Sequence, residues 1–118
     1  MSNAQTKIQE TRQRRTGRTR SQIHGTATKP RLTVMRSLRY LAVQAIDDDT
    51  GRTLLGVHES KLVLQGTKSE RAEKFGQEIG SRLQAAGIKK IVFDKGPYKY
   101  HGRIKIMADA LRGAGIQF

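Results

Sequence analysis

The chain has 118 residues, with 23 Lys+Arg against 10 Asp+Glu, a net charge of +13 and no cysteine. That length suits one domain of about 100 to 150 residues and excludes a multidomain enzyme. The missing thiols exclude disulfide frameworks and thiolate metal sites, and with no apolar run near ~18 residues and no h-region the chain reads as cytoplasmic, with no membrane partner.

The first 31 residues hold eight cations, Lys7, Arg12, Arg14, Arg15, Arg18, Arg20, Lys29 and Arg31, against Glu10 alone. After Met1 their only large apolar residues are Ile8 and Ile23, too few to offset the entropy of ordering. Residues 1–30 are therefore expected to be a basic extension, disordered until a partner is present, ahead of a globular domain at 31–118. Three readings fit the extension: an arm on phosphates, an organellar transit peptide, or a solvated tail without a partner. It lacks the Leu, Phe or Trp of a membrane-surface helix, and it is richer in Arg than in Lys. Arg grips phosphate in two places and stacks on bases, which favours nucleic acid.

Beyond the extension, RLTVMRS (31–37) and YLAVQAID (40–47) are β-rich and partly alternating, and their short link predicts a hairpin. A turn at Asp47–Gly51 leads to a third strand, RTLLGVHE (52–59). Thr67 and Glu70 form a capping box, and Ala72, Phe75, Ile79, Leu83 and Ala86 recur at helical spacing until Gly87. Gly76 and Gly80 on that helix suggest a close approach to a sheet. KIVFD (90–94) is a short apolar run expected to pair parallel to an earlier strand through the crossover. After the loop 95–102, Ile104, Met107, Ala108, Leu111 and Ala114 mark a second helix, ended by Gly115. The order βββαβα predicts an α/β (α+β) domain, a mixed sheet with two helices packed on it.

That order is also the topology of ribonuclease H-like nucleases, so metal-dependent cleavage has to be weighed. Two-metal cleavage needs carboxylates converging from several elements. Asp94 is well placed for one, yet the first strand holds no acid and has Arg31 and Arg36 near its ends. His24, His58 and His101 have no second ligand at metal spacing, and neither a phosphate loop nor a dinucleotide fingerprint is present. No catalytic group, metal, cofactor or small-molecule substrate is expected.

The segment FDKGPYKYHGR (93–103) interleaves Tyr98, Tyr100 and His101 with Lys95, Lys99 and Arg103 among Gly96, Pro97 and Gly102. Rings that stack, cations that neutralise phosphate and glycines that admit close backbone approach are the means by which structured RNA is held. Arg31, Arg36, Ser37, Arg39 and Tyr40 around the first hairpin form a second such patch. Against this stands the plainer use of one tyrosine as packing under the second helix.

FDKGPYKYHGRIKIMADALRGAGIQF (93–118) resembles very closely the carboxy-terminal signature of the bacterial large-subunit ribosomal protein L eighteen family, and the likeness extends upstream to the Arg-rich extension. The resemblance implies a non-catalytic ribosomal protein that binds 5S rRNA. It also implies attachment of that RNA to the large-subunit 23S-type rRNA in the central protuberance, beside neighbouring proteins of the 5S ribonucleoprotein. By motif, Arg31, Arg36, Ser37, Arg39 and Tyr40 match the RNA-facing hairpin, and Lys95, Tyr98, Tyr100, His101, Gly102 and Arg103 match the signature loop. The chain departs from the family in four respects, one of them Pro97, which stiffens the signature loop. Ala42, Val43 and Gln44 lack the usual aromatic of the second strand, Lys95 stands for an Arg and loses its bidentate fork, and Ile106 is bulkier than the usual Ala.

Overall fold

The computed structural model describes residues 23–118, so Arg12, Arg14, Arg15, Arg18 and Arg20 lie outside the described residues, as does most of the extension expected to be disordered. Strands β1 (Arg31–Arg36), β2 (Leu41–Asp47) and β3 (Arg52–His58) form an antiparallel meander. A single 3-10 turn at Glu59–Lys61 leads to helix α1 (Lys68–Ala85), which crosses to β4 (Val92–Asp94), and helix α2 (Arg103–Gly113) follows. The sheet order is β3-β2-β1-β4, with β4 parallel to β1. This is the mixed sheet with two helices that the element order predicted.

Side-chain alternation divides the sheet into two faces. Leu32 and Val34 of β1 pair with Ala45 and Val43 of β2, and all four are buried in one core with Phe75, Ile79 and Leu83 of α1 and Ile104, Met107 and Leu111 of α2. The opposite face carries Thr33, Met35, Ala42, Gln44, Gly56 and His58, with neither α1 nor α2 over it. In β3 one extra residue enters the ladder opposite Ala45 and Ile46, so the consecutive Leu54 and Leu55 both become half-buried.

Both helices stop in the same way, on LQAAGI (83–88) and LRGAGI (111–116). Gly87 N–H donates to Gln84 O and Ile88 N–H to Leu83 O, and the same pair of bonds recurs from Gly115 to Arg112 and from Ile116 to Leu111. This is the Schellman arrangement. The glycine takes a left-handed conformation, φ +81° at Gly87 and +95° at Gly115, and the following Ile packs back on the Leu. At the other end Thr67 Oγ1 accepts from Glu70 N–H at 3.2 Å, as the capping pattern predicted.

Two expectations are corrected, one for the run 90–94 and one for Gly76 and Gly80. The run 90–94 yields only three residues of strand, because Ile91 N–H donates to Gln117 O and Gln117 N–H to Lys89 O, so the C-terminal residues take up that backbone. Within residues 23–30, Gly25 and Pro30 are buried, Gly25 N–H donates to Asp48 Oδ2 and Pro30 O accepts from Val92 N–H, while His24, Ala27, Thr28 and Lys29 are exposed. Finally, Gly76 and Gly80 approach the other helix, not a sheet. A methyl group on Gly76 would stand 2.5 Å from Met107 O and 2.7 Å from Ala110 Cβ.

A paired measurement tests that contact. Gly76→Ala is expected to lower stability by about 1–3 kcal/mol despite its gain in helix propensity, because backbone on the facing helix cannot yield. Gly113→Ala, whose added methyl meets nothing within 4 Å, is expected to raise stability by up to ~1 kcal/mol. Thermal melting of both variants decides; a Gly76→Ala chain that melts higher than wild type would show that the helices can part without loss.

Candidate nucleic-acid interface

Strand directions gather most of the candidate residues at one end of the sheet. β1, β3 and β4 end there and β2 begins there, so the β1–β2 hairpin (37–40), the 3-10 turn after β3 and the loop after β4 are neighbours. The two segments singled out in the sequence, some 60 residues apart, are thus brought together.

Ser37 closes the hairpin. Its N–H and hydroxyl donate to Tyr40 O at 2.9 and 3.1 Å, and its hydroxyl accepts from Tyr40 N–H at 3.1 Å. Leu38, 85% exposed, and Arg39 project at the tip. The hairpin base is held by buried Glu59, whose Oε1 accepts from Leu41 N–H at 3.0 Å and whose Oε2 faces Arg71 of α1 at 3.4 Å.

The loop 95–102 is fastened at both ends. Asp94 Oδ1 accepts from Gly96 N–H at 2.9 Å, and Lys95 Nζ donates to Tyr98 O at 2.8 Å. Arg103 Nη2 donates to Ser37 O at 2.7 Å, which locks the start of α2 onto the hairpin. Tyr98 packs against the core while its hydroxyl donates to Arg36 O at 3.4 Å, and the Arg36 guanidinium lies 5.1 Å from the Tyr98 ring centre. Tyr98 is therefore the tyrosine used in packing. Tyr100 stays exposed, its ring edge-on to Phe93 at 5.9 Å and its hydroxyl accepting from Arg112 at 3.3 Å. Lys99, His101 and Gly102 are exposed beside it.

Arg31 does not join this group. It stands at the start of β1, roughly 17 Å of strand from Arg36. Its side chain is 10% exposed, with Nε and Nη2 donating to Asp48 at 2.9 and 3.1 Å and Nη1 donating to Asp94 Oδ2 at 2.9 Å. Its ion pair holds the Asp48 carboxyl down at about 2, and Asp48 in turn helps keep the guanidinium charged. The acid turn is occupied in the same way by His24, whose Nε2 lies 2.6 Å from Asp49 Oδ1 and whose pKa that bond raises. Sequence alone cannot separate Arg31 from Arg36, since the decisive partner, Asp94, is 63 residues away.

Arg36, Arg39, Lys61, Lys99 and Arg103 cluster at the hairpin end, where the carboxylates Glu59 and Asp94 are buried and paired. Asp94, the best candidate for a nuclease carboxylate, has both oxygens engaged, and among the described residues no group of three or more His, Asp or Glu is disposed to hold a metal ion. A groove of about 410 Å³ between α1 and α2 carries Glu73 and Asp109 and no cation, so it does not suit a polyanion. His58 is the residue that sequence reading missed. It ends β3 beside Tyr40, ring centres 5.6 Å apart at 60°, a pairing visible only once the strand register is known.

A family model for ribosomal L18 of archaea, bacteria, mitochondria and chloroplasts matches residues 6–118. The chain is 44% identical over 110 residues to large ribosomal subunit protein uL18 of Chlorobaculum parvum, covering 91% of this chain and 92% of that protein. It is 46% identical over 110 residues to the protein of that name from Porphyromonas gingivalis, covering 93% and 96% respectively. Against the Bacillus cereus protein of that name, identity is 44% over 111 residues, 92% of each chain.

Proposed function

Because the chain belongs to the ribosomal uL18 family and is a protein of the large subunit, we propose that its hairpin end binds 5S rRNA and fastens it to the 23S-type rRNA in the central protuberance. Neighbouring proteins of the 5S ribonucleoprotein complete the site. The observation that carries this reading is the locking of two basic, aromatic-bearing segments into one surface by the Arg103–Ser37 and Tyr98–Arg36 contacts. Such a surface offers a fixed shape rather than a sliding charge, which suits an irregular RNA stem or junction with exposed bases.

The mechanism has no covalent step. Arg36, Arg39, Lys95, Lys99 and Arg103 neutralise and position phosphates, while Tyr40, Tyr100 and His101 offer ring faces or edges to bases. Ser37 and Gly102 act mainly by shaping the backbone around them. Arg12, Arg14, Arg15, Arg18 and Arg20 add sequence-independent attraction from the extension.

Tyr100→Ala tests the loop. Base stacking on an aromatic ring contributes about 1–3 kcal/mol, so preference for 5S rRNA over an unrelated RNA of equal length is expected to fall by roughly 5- to 150-fold. Competition binding with circular dichroism as a check on folding reads this out, and Arg103→Ala is expected to act in the same direction by releasing the hairpin from α2. An unchanged preference in both folded variants would remove the loop from the binding surface.

A further inference from the structure

We infer that His58 is a specificity-determining residue of the same surface, an imidazole that presents its Nε2–H as a hydrogen-bond donor to an acceptor atom of the RNA. The inference rests on the RNA-binding reading above. Its own foundation is the local geometry. His58 Nδ1 accepts from Ser60 N–H at 3.1 Å, and Ser60 Oγ lies 2.7 Å away. A backbone N–H can only donate, so Nδ1 must present a lone pair, and the ring proton is held on Nε2.

The side chain is exposed, and among the described residues nothing accepts from Nε2. Ring orientation is restrained twice more. His58 pairs with Ala42 on the sheet face that neither α1 nor α2 covers, and the ring meets Tyr40 edge-on. Lys61, one turn on, adds a cation next to it. A donor with fixed tautomer, fixed orientation and an adjacent charge can discriminate between acceptor positions on RNA, which a freely rotating Lys cannot. It also supplies a ring near β2, where Ala42, Val43 and Gln44 have none.

Two near-isosteres separate the roles of the two nitrogens. His58→Asn places an acceptor near Nδ1 and so keeps the Ser60 bond, but it has nothing at Nε2. His58→Gln places an amide donor near Nε2 and loses the bond to Ser60. Binding to 5S rRNA and to an unrelated RNA is measured for both and for wild type, with thermal melting alongside. Expected for His58→Asn is a wild-type melting temperature with 5S affinity lower by about 5- to 10-fold. Expected for His58→Gln is affinity within about twofold of wild type with a lower melting temperature.

Nitrogen-15 spectra of the wild-type protein give an independent reading: an Nε2-protonated ring when free, with that N–H signal shifted on adding 5S rRNA. Wild-type affinity in His58→Asn, or an Nδ1-protonated ring in the free protein, would overturn the assignment while leaving the RNA-binding reading intact. A wild-type protein without preference for 5S rRNA overturns both.

Discussion

Asp94→Ala will cost the domain about 3–5 kcal/mol, a large part of the ~5–15 kcal/mol that holds a domain of this size together. Asp94 is fully buried, and its two oxygens serve different elements, Oδ2 accepting from Arg31 at the start of β1 and Oδ1 from Gly96 N–H in the loop. Truncation leaves the Arg31 guanidinium, 10% exposed, with its two bonds to Asp48 but none for Nη1, and it frees the start of the loop. Two buried donors left without an acceptor, Arg31 Nη1–H and Gly96 N–H, rather than the loss of one attraction, make the effect large. The double variant Arg31→Met, Asp94→Leu is therefore expected to be more stable than Asp94→Ala alone, and urea unfolding of the two gives the comparison. A single variant that unfolds at the wild-type midpoint would mean that solvent reaches Arg31.

The same network has a pH signature. Asp48 titrates at about 2 in the folded chain against 3.8 ordinarily, because Arg31 hydrogen-bonds its charged form and Gly25 N–H assists. A depressed folded-state pKa contributes stability that is complete above the ordinary value and disappears as pH falls through the folded one. The urea midpoint of the wild type should accordingly hold its Asp48 contribution above pH ~5 and lose it between pH ~4 and ~2. In Arg31→Met that fraction of the acid loss should be absent.

These contacts also show where the sequence was informative. Local rules worked where the physics is local: Thr67 caps α1, Gly87 and Gly115 end the two helices, and the spacing of Phe75, Ile79 and Leu83 marks a buried stripe. They failed where a partner distant in the chain decides. Arg31 reads as an exposed cation until Asp48 and Asp94 are brought beside it. Gly76 and Gly80 signal a close approach, yet a stripe pattern does not say whether a sheet or a helix makes it. The run 90–94 has the composition of a strand, but its first half pairs with the C-terminal residues. His58 lies in a strand whose alternation points it outward, and nothing local reveals the tyrosine from the neighbouring hairpin that orients it.

The salt dependence of RNA binding should be steep and should divide between extension and domain. Each phosphate neutralised releases counterions, so affinity falls with a log–log slope of about 0.9 per contact, by analogy with duplex DNA. If the full chain makes on the order of 6–10 such contacts, its affinity for 5S rRNA drops by roughly 10³ to 10⁵ between 50 and 200 mM salt. Residues 1–22 hold six of the 23 cations and one of the 10 carboxylates. The truncation must stop there, because Gly25 is bonded to Asp48 and its removal would disturb the Arg31 network. A chain beginning at Ile23 should lose up to ~5 units of slope. On the function proposed above, in which the extension supplies charge while the hairpin and loop supply shape, it should still prefer 5S rRNA over an unrelated RNA. Titrations of both chains at four or more salt concentrations measure the two slopes. Loss of preference together with the extension would assign recognition to the arm and leave the locked surface as a passive support.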